Sequence, residues 1–144
     1  MRIIVDADAT PSISLITKIA EENKIPLFLY CDDSHEINND YAKIIVLSRG
    51  YQTVDTKISN DLKQNDILIT QDYGLALIGL SKKSYVINPK GFYYTEDNIN
   101  LLLFERQLNL INRKKKIKTK NMKKRTKEED KKLRECLLKI IKKF

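Results

Sequence analysis

The sequence predicts an α/β fold, a mostly parallel sheet with helices on both faces, followed by a helical, basic C-terminal extension. Three observations lead there. Short β-branched and apolar runs alternate with amphipathic stretches, as strands buried on both faces and joined by helices require. The chain has 144 residues, 42% of them hydrophobic, which suits one packed domain and argues against global disorder. Residues 113–144 carry sixteen Lys/Arg against four Asp/Glu, leaving eleven against fifteen in 1–112. An acidic body therefore carries a basic arm, which points to a phosphate-bearing partner, nucleic acid first. A composition rich in Lys, Asn and Ile throughout is the plainer source of the same lysines.

The elements follow in order. Arg2-Ile3-Ile4-Val5 reads as a buried strand ending at Asp6. Thr10-Pro11 is expected to open a helix, with Pro early, where its missing N–H costs nothing. Ile13, Ile16, Ile19 and Ala20 share its inner face, and Pro26 stops it. Leu27–Tyr30 and Lys43–Leu47 are the second and third strands, and Val54, Ile58 and Leu62 mark a helix over 54–63. Ile67–Thr70 is the fourth strand, 75–80 a short helix, and Tyr85-Val86-Ile87 a fifth strand ended by Asn88-Pro89. Residues 95–111 read as a helix with Glu96-Asp97 in its first turn. A basic linker at 112–125 leads to a last helix near Thr126, where Glu129 completes a capping box. Its apolar face is Leu133, Leu137, Ile140, Ile141 and Phe144. The expected organisation is a domain over 1–111, the linker, and a helix over 126–144 packing on that domain.

Several classes are excluded. No apolar run approaches the roughly 20 residues that span a bilayer, and Asp6 interrupts what would be a signal peptide's apolar stretch. Two distant cysteines and one histidine supply neither a disulfide framework nor a Cys/His zinc site. A soluble, cytoplasmic protein is expected.

In an open parallel sheet, sites form beyond the carboxyl ends of the strands. Asp6 and Asp8 follow the first strand, Asp72 follows the fourth, and Asp55 begins a helix shortly after the third. Singly, each has a plainer role: Asp55 as a helix cap, Asp72 before Tyr73-Gly74 as a turn former, Asp8 as a solvated loop residue. Asp6 abuts a buried strand and needs a partner there. Together the four form a hard-oxygen set suited to Mg²⁺ or Mn²⁺ and to phosphoryl-transfer chemistry.

Asp6-Ala7-Asp8-Ala9-Thr10 resembles the DxDxT signature of haloacid-dehalogenase-type phosphatases, which implies Asp6 as nucleophile, Asp8 as acid/base and Ser48 as phosphate ligand. No later acidic pair with that family's spacing follows. A fuller match runs through Val5-Asp6-Ala7-Asp8-Ala9-Thr10-Pro11, Val54-Asp55 and Ile69-Thr70-Gln71-Asp72-Tyr73-Gly74-Leu75-Ala76. It continues with Asn88-Pro89-Lys90-Gly91, Tyr94-Thr95-Glu96-Asp97-Asn98-Ile99 and Arg106. On these the chain is identified as a member of the YaiI/YqxD family of uncharacterised bacterial proteins, which resembles the PIN-like nucleases. Thr10 stands where that family carries Cys. The resemblance implies a PIN-like fold and RNA cleavage at Mg²⁺ or Mn²⁺ held by Asp6, Asp8, Asp55 and Asp72. A chain that keeps the fold without the chemistry would instead be a nucleic-acid-binding protein.

Around that set, Thr70 could orient a metal-bound water, or simply favour the strand. Asn88 and Lys90 could contact a phosphate, or form an ordinary Asn-Pro turn. Arg106 shares a helical stripe with Leu102 and Leu103, which suits a charge that is paired or that clamps a phosphate. Phe92-Tyr93-Tyr94 could stack on bases but reads better as core cover, and His35 reads as a surface residue. The expected phosphate-contacting residues of the arm are Arg113, Lys114, Lys115, Lys116, Lys118, Lys120, Lys123, Lys124 and Arg125, with RNA ahead of DNA as the partner.

Overall fold

Alternation along the strands decides where each helix sits. The computed structural model describes residues 1–48, 53–114 and 126–143, the side chains of 112–114 excepted. Its elements are β1 (Ile3–Asp6), α1 (Ile13–Glu22), β2 (Leu27–Asp32), β3 (Lys43–Leu47), α2 (Val54–Asp61) and β4 (Ile67–Ile69). They continue as α3 (Tyr73–Ser81), β5 (Tyr85–Asn88), β6 (Phe92–Tyr93), α4 (Glu96–Lys114) and α5 (Lys127–Ile141). The sheet order is β3-β2-β1-β4-β5-β6. The first five strands run parallel, and β6 returns antiparallel to β5.

On β1, Ile3 and Val5 face one way and Ile4 the other, and Ile67 and Ile69 are set against Leu68 in the same manner on β4. The odd-numbered side chains pack under α1 (Ile16, Ile19, Ala20) and α5 (Leu133, Leu137, Ile140). The even-numbered ones pack under α2 (Ile58), α3 (Leu75, Ala76) and α4 (Ile99). Both faces are thus covered, and every strand side chain of β1 and β4 is buried. The chain reverses its winding direction between β1 and β4. A crevice opens outside their carboxyl ends, where open α/β sheets bind ligands.

α5 is fastened to the odd-numbered face. Ser12 Oγ donates to Asp130 Oδ1 at 2.9 Å, and Tyr93 Oη donates to the Cys136 carbonyl at 2.8 Å. Gly91 has φ 95°, and a Cβ there would lie 2.3 Å from Cβ of Lys132. Only glycine permits both that backbone and that approach. The capping box of Thr126 and Glu129 forms as the sequence predicts. Phe144, expected on the inner face, lies outside the described residues.

Four local differences have physical causes. Thr10-Pro11 does not open the first helix, which starts at Ile13. Residues 7–9 form a 3-10 turn instead, Thr10 Oγ1 donates to the Asp6 carbonyl at 2.8 Å, and the residue before proline stays extended. α1 stops at Glu22, ahead of Pro26, with Asn23 Nδ2 capping the Ile19 carbonyl and Lys24 at φ 55°. β6 is two residues long, too short to leave a periodic signal. α4 runs on to Lys114, into the stretch expected to be linker.

Candidate active site

Period two sends Asp6, at the end of β1, and Thr70, just past β4, to the even-numbered face, where α2 and α3 begin. Thr70 Oγ1 donates to Asp6 Oδ2 at 3.2 Å and accepts from the Asp72 backbone N–H at 3.0 Å. Asp72 caps α3, its Oδ1 accepting from Gly74 N at 2.8 Å and Leu75 N at 3.3 Å. Asp55 stands in the first turn of α2, where Thr53, not Asp55, is the cap. Asp72 is the strongest charged influence on its carboxyl, ahead of Asp6.

Crowding and burial mark this group electrostatically. Asp6 is only 7% exposed, and burial, together with the charges of Asp8 and Asp72, pushes its pKa up to about 6 against the pull of the Thr70 hydrogen bond. Asp55 is likewise pushed up to about 6, by desolvation first and then by Asp72 and Asp6. Asp6 and Asp55 thus resist carrying negative charge, and with Asp72 beside them they offer hard oxygens of the kind a divalent cation takes.

Asp8 turns away from this trio. The 3-10 turn carries it toward the end of β2, where Asp8 Oδ2 accepts from the Asp32 N–H at 3.1 Å. His35 Nδ1 lies 3.0 Å from Asp8 Oδ1 and 3.1 Å from Asp32 Oδ1. Asp8, Asp32 and His35 each offer a ligand atom within 4.8 Å of the others. Asp32 is held down to about 2, chiefly by the hydroxyl and amide of Ser34. The expected foursome is therefore split into Asp6, Asp55 and Asp72 on one side and Asp8 with two new neighbours on the other. Sequence reading missed Asp32; His35 is exposed as expected, but it sits against these two carboxylates. The available signal was the only histidine of the chain three residues after a strand-end Asp.

The floor of the site is hydrogen-bonded. Tyr94, buried, donates from Oη to the Thr70 carbonyl at 3.2 Å and accepts from Asn88 Nδ2 at 2.7 Å. Asn88 Oδ1 accepts from the Lys90 N–H at 2.8 Å. The Asn88 amide is thus spent on the turn and on Tyr94 rather than aimed at a ligand, and Lys90 is exposed on the β5–β6 turn. Phe92 packs edge-on to Tyr94 at 5.5 Å, and Tyr93 reaches α5, so these aromatics cover core. Gln71 Nε2 donates to the Ala9 carbonyl, tying the β4 end to the turn after Asp6.

Beside the carboxylates runs an open groove of about 570 Å³. Asp6, Ala9, Gln71, Asp72 and Tyr73 form one wall, and Glu105, Arg106, Asn109 and Leu110 of α4 form the other. Arg106 is solvent-exposed on that wall, facing the carboxylates across the groove rather than buried in the stripe. Ser48 is exposed after β3, an edge strand separated from Asp6 by β2. Of the basic arm, Arg113 and Lys114 close α4, with side chains outside the described set. Lys115, Lys116, Lys118, Lys120, Lys123, Lys124 and Arg125 lie outside the described residues. No helix among the described residues is long and apolar enough to cross a membrane.

Comparison with known proteins gives a consistent result. The profile of an uncharacterised bacterial family, YaiI/YqxD, matches residues 4–143. A UPF0178 protein of Clostridium novyi (strain NT) is 50% identical over 99% of this chain and 96% of its own length. One from Clostridium tetani is 47% identical over 99% and 98%, and one from Clostridium kluyveri is 45% identical over 98% and 93%. Those names state no activity. No solved structure matches the chain significantly.

Proposed function

The chain belongs to the YaiI/YqxD family, and for its carboxylate edge we propose a Mg²⁺- or Mn²⁺-dependent nuclease activity of PIN-like type, acting on RNA. The observation that carries this is that Asp6, Asp55 and Asp72, at the ends of β1 and β4 and the start of α2, lie within electrostatic reach of one another, with the Asp6 and Asp55 carboxyls both pushed up to about 6. An all-carboxylate donor set fits a hard cation. Asp6 and Asp72 would hold the ion, which when bound polarises a phosphodiester.

This chain's own residues supply the rest. Thr70 fixes the rotamer of Asp6 and the turn that presents Asp72. Asp55, beside Asp72 and raised to about 6, is a carboxylate basic enough at neutral pH to orient and deprotonate the attacking water. Asp8, with Asp32 and His35, offers a second place for a cation on the same edge. Arg106 on the opposite wall would meet a phosphate of the bound strand. The basic residues 113–125 would hold the flanking backbone by counterion release.

The test is end-labelled single-stranded RNA and DNA incubated with purified protein and Mn²⁺, wild type beside Asp72→Asn. Cleavage of RNA that Asp72→Asn abolishes supports the reading. Binding without cleavage would overturn it, if Asp72→Asn leaves that binding intact while neutralising the lysines of 114–124 removes it. The arm would then be the functional element of a nucleic-acid-binding protein.

A further inference from the structure

α4 is apolar on two opposite sides. At about 100° per residue, Ile99, Leu103, Arg106 and Leu110 fall on the side toward the body and the groove. Leu101, Phe104, Leu108 and Ile111 fall on the other. Ile99 is buried, and Leu102 and Leu103 pack against the core. The outer stripe is bare: Leu101 is 59% exposed, Phe104 61%, Leu108 42% and Ile111 43%. Such a contiguous apolar stripe on a soluble surface marks an interaction site more often than an accident.

We propose that this stripe is the seam of a homodimer, in which α4 pairs antiparallel with α4 of a second copy. The occupant is read from the stripe itself. Its steps of three, four and three residues are those of a coiled-coil seam, which packs best against another helix with the same repeat. The pattern is symmetric about position 106. An antiparallel two-fold therefore sets Leu101 against Ile111 of the second copy and Phe104 against Leu108, as a self-complementary interface requires.

Charge selects the direction. α4 begins with Glu96-Asp97 and ends with Arg113-Lys114. Antiparallel pairing lays the acidic start of each helix beside the basic end of the other and opposes the two macrodipoles, whereas parallel pairing would align like charges. A single pair of 19-residue helices, each about 28 Å long, belongs to the small interface class, below roughly 1,200 Å². The dimer is accordingly reversible. It uses the side of α4 away from the groove, so it stands whether or not the carboxylate edge cleaves RNA.

The test is sedimentation of the full-length protein across about a hundredfold range of concentration. Wild type should rise toward twice the chain mass. Phe104→Glu and Leu108→Glu, both at exposed positions, should remain at one chain mass with unchanged circular dichroism. Val46→Glu, on the exposed edge strand β3 and off the seam, should dimerise like wild type. Asp97→Lys should weaken association several-fold, because each copy's basic helix end then meets a lysine. Wild type monomeric throughout, or seam variants that dimerise normally, would overturn the proposal. So would a monomer whose Phe104→Glu variant loses affinity for RNA, since the stripe would then belong to nucleic acid. Unchanged association in Asp97→Lys would overturn the antiparallel geometry.

Discussion

Thr70 Oγ1 donates to Asp6 Oδ2 at 3.2 Å, across the parallel pair β1 and β4. The same oxygen accepts the Asp72 N–H at 3.0 Å. One buried hydroxyl thus holds the Asp6 carboxylate and the backbone of Asp72, at two different strand ends. Thr70→Val keeps the shape and removes both bonds. It is expected to raise the Asp6 pKa further and to cost about 1–3 kcal/mol through the orphaned amide. Thr70→Ser should restore both. Carboxyl titration by NMR and urea unfolding read the two effects separately.

The raised Asp6 pKa fixes how the metal-free protein responds to pH. The folded state binds this proton more tightly than the unfolded chain, whose Asp titrates near about 4. The stability contributed by protonated Asp6 is fully present below about 4 and is lost as pH rises through about 6. Asp6→Asn should therefore be more stable than wild type at pH 8, by at most about 2–3 kcal/mol, with most of that difference gone at pH 4. Urea midpoints of the two proteins in chelator, at both pH values, check this.

Asp72 has two separable jobs. Its Oδ1 caps α3 through Gly74 and Leu75, and its charge belongs to the carboxylate group. Asp72→Asn keeps a capping oxygen and removes the charge, so stability should hold to within about 0.5 kcal/mol while Mn²⁺ no longer raises the melting temperature. Asp72→Ala should also lose about 1 kcal/mol from the missing cap. Thermal melts with and without Mn²⁺ distinguish the pair.

Gly91 is where α5 meets the sheet. A Cβ would strike Cβ of Lys132 at 2.3 Å and its backbone at 2.7 Å, on a backbone at φ 95°. Gly91→Ala is expected to destabilise by about 2–4 kcal/mol. The loss should appear first as exchange of the amides of α5, measured by hydrogen exchange.

Most of the architecture was legible because it is written in local patterns. The β-branched runs at β1 and β4 are buried on both faces, and the Thr126/Glu129 box starts α5 as expected. Asp6, Asp55 and Asp72 could be nominated because strand ends and helix starts converge in a parallel sheet. The divergence of Asp8 was hidden, since a 3-10 turn of three residues sets its direction and leaves no periodic trace. Asn88 read as a ligand candidate because nothing local shows that Tyr94, six residues on, takes up its amide. Arg106 was nominated for sharing a stripe with Leu102 and Leu103. That stripe leaves the core halfway along α4, so the arginine meets a groove instead of a buried partner.

The central claim is that the carboxylate edge binds a divalent cation, and calorimetric titration with Mn²⁺ tests it most directly. Wild type would be compared with Asp6→Asn/Asp72→Asn and with Asp8→Asn/His35→Ala. Binding by wild type that the first pair abolishes and the second pair at most weakens is the predicted result. Absence of heat at millimolar Mn²⁺, or binding undiminished in Asp6→Asn/Asp72→Asn, would contradict it.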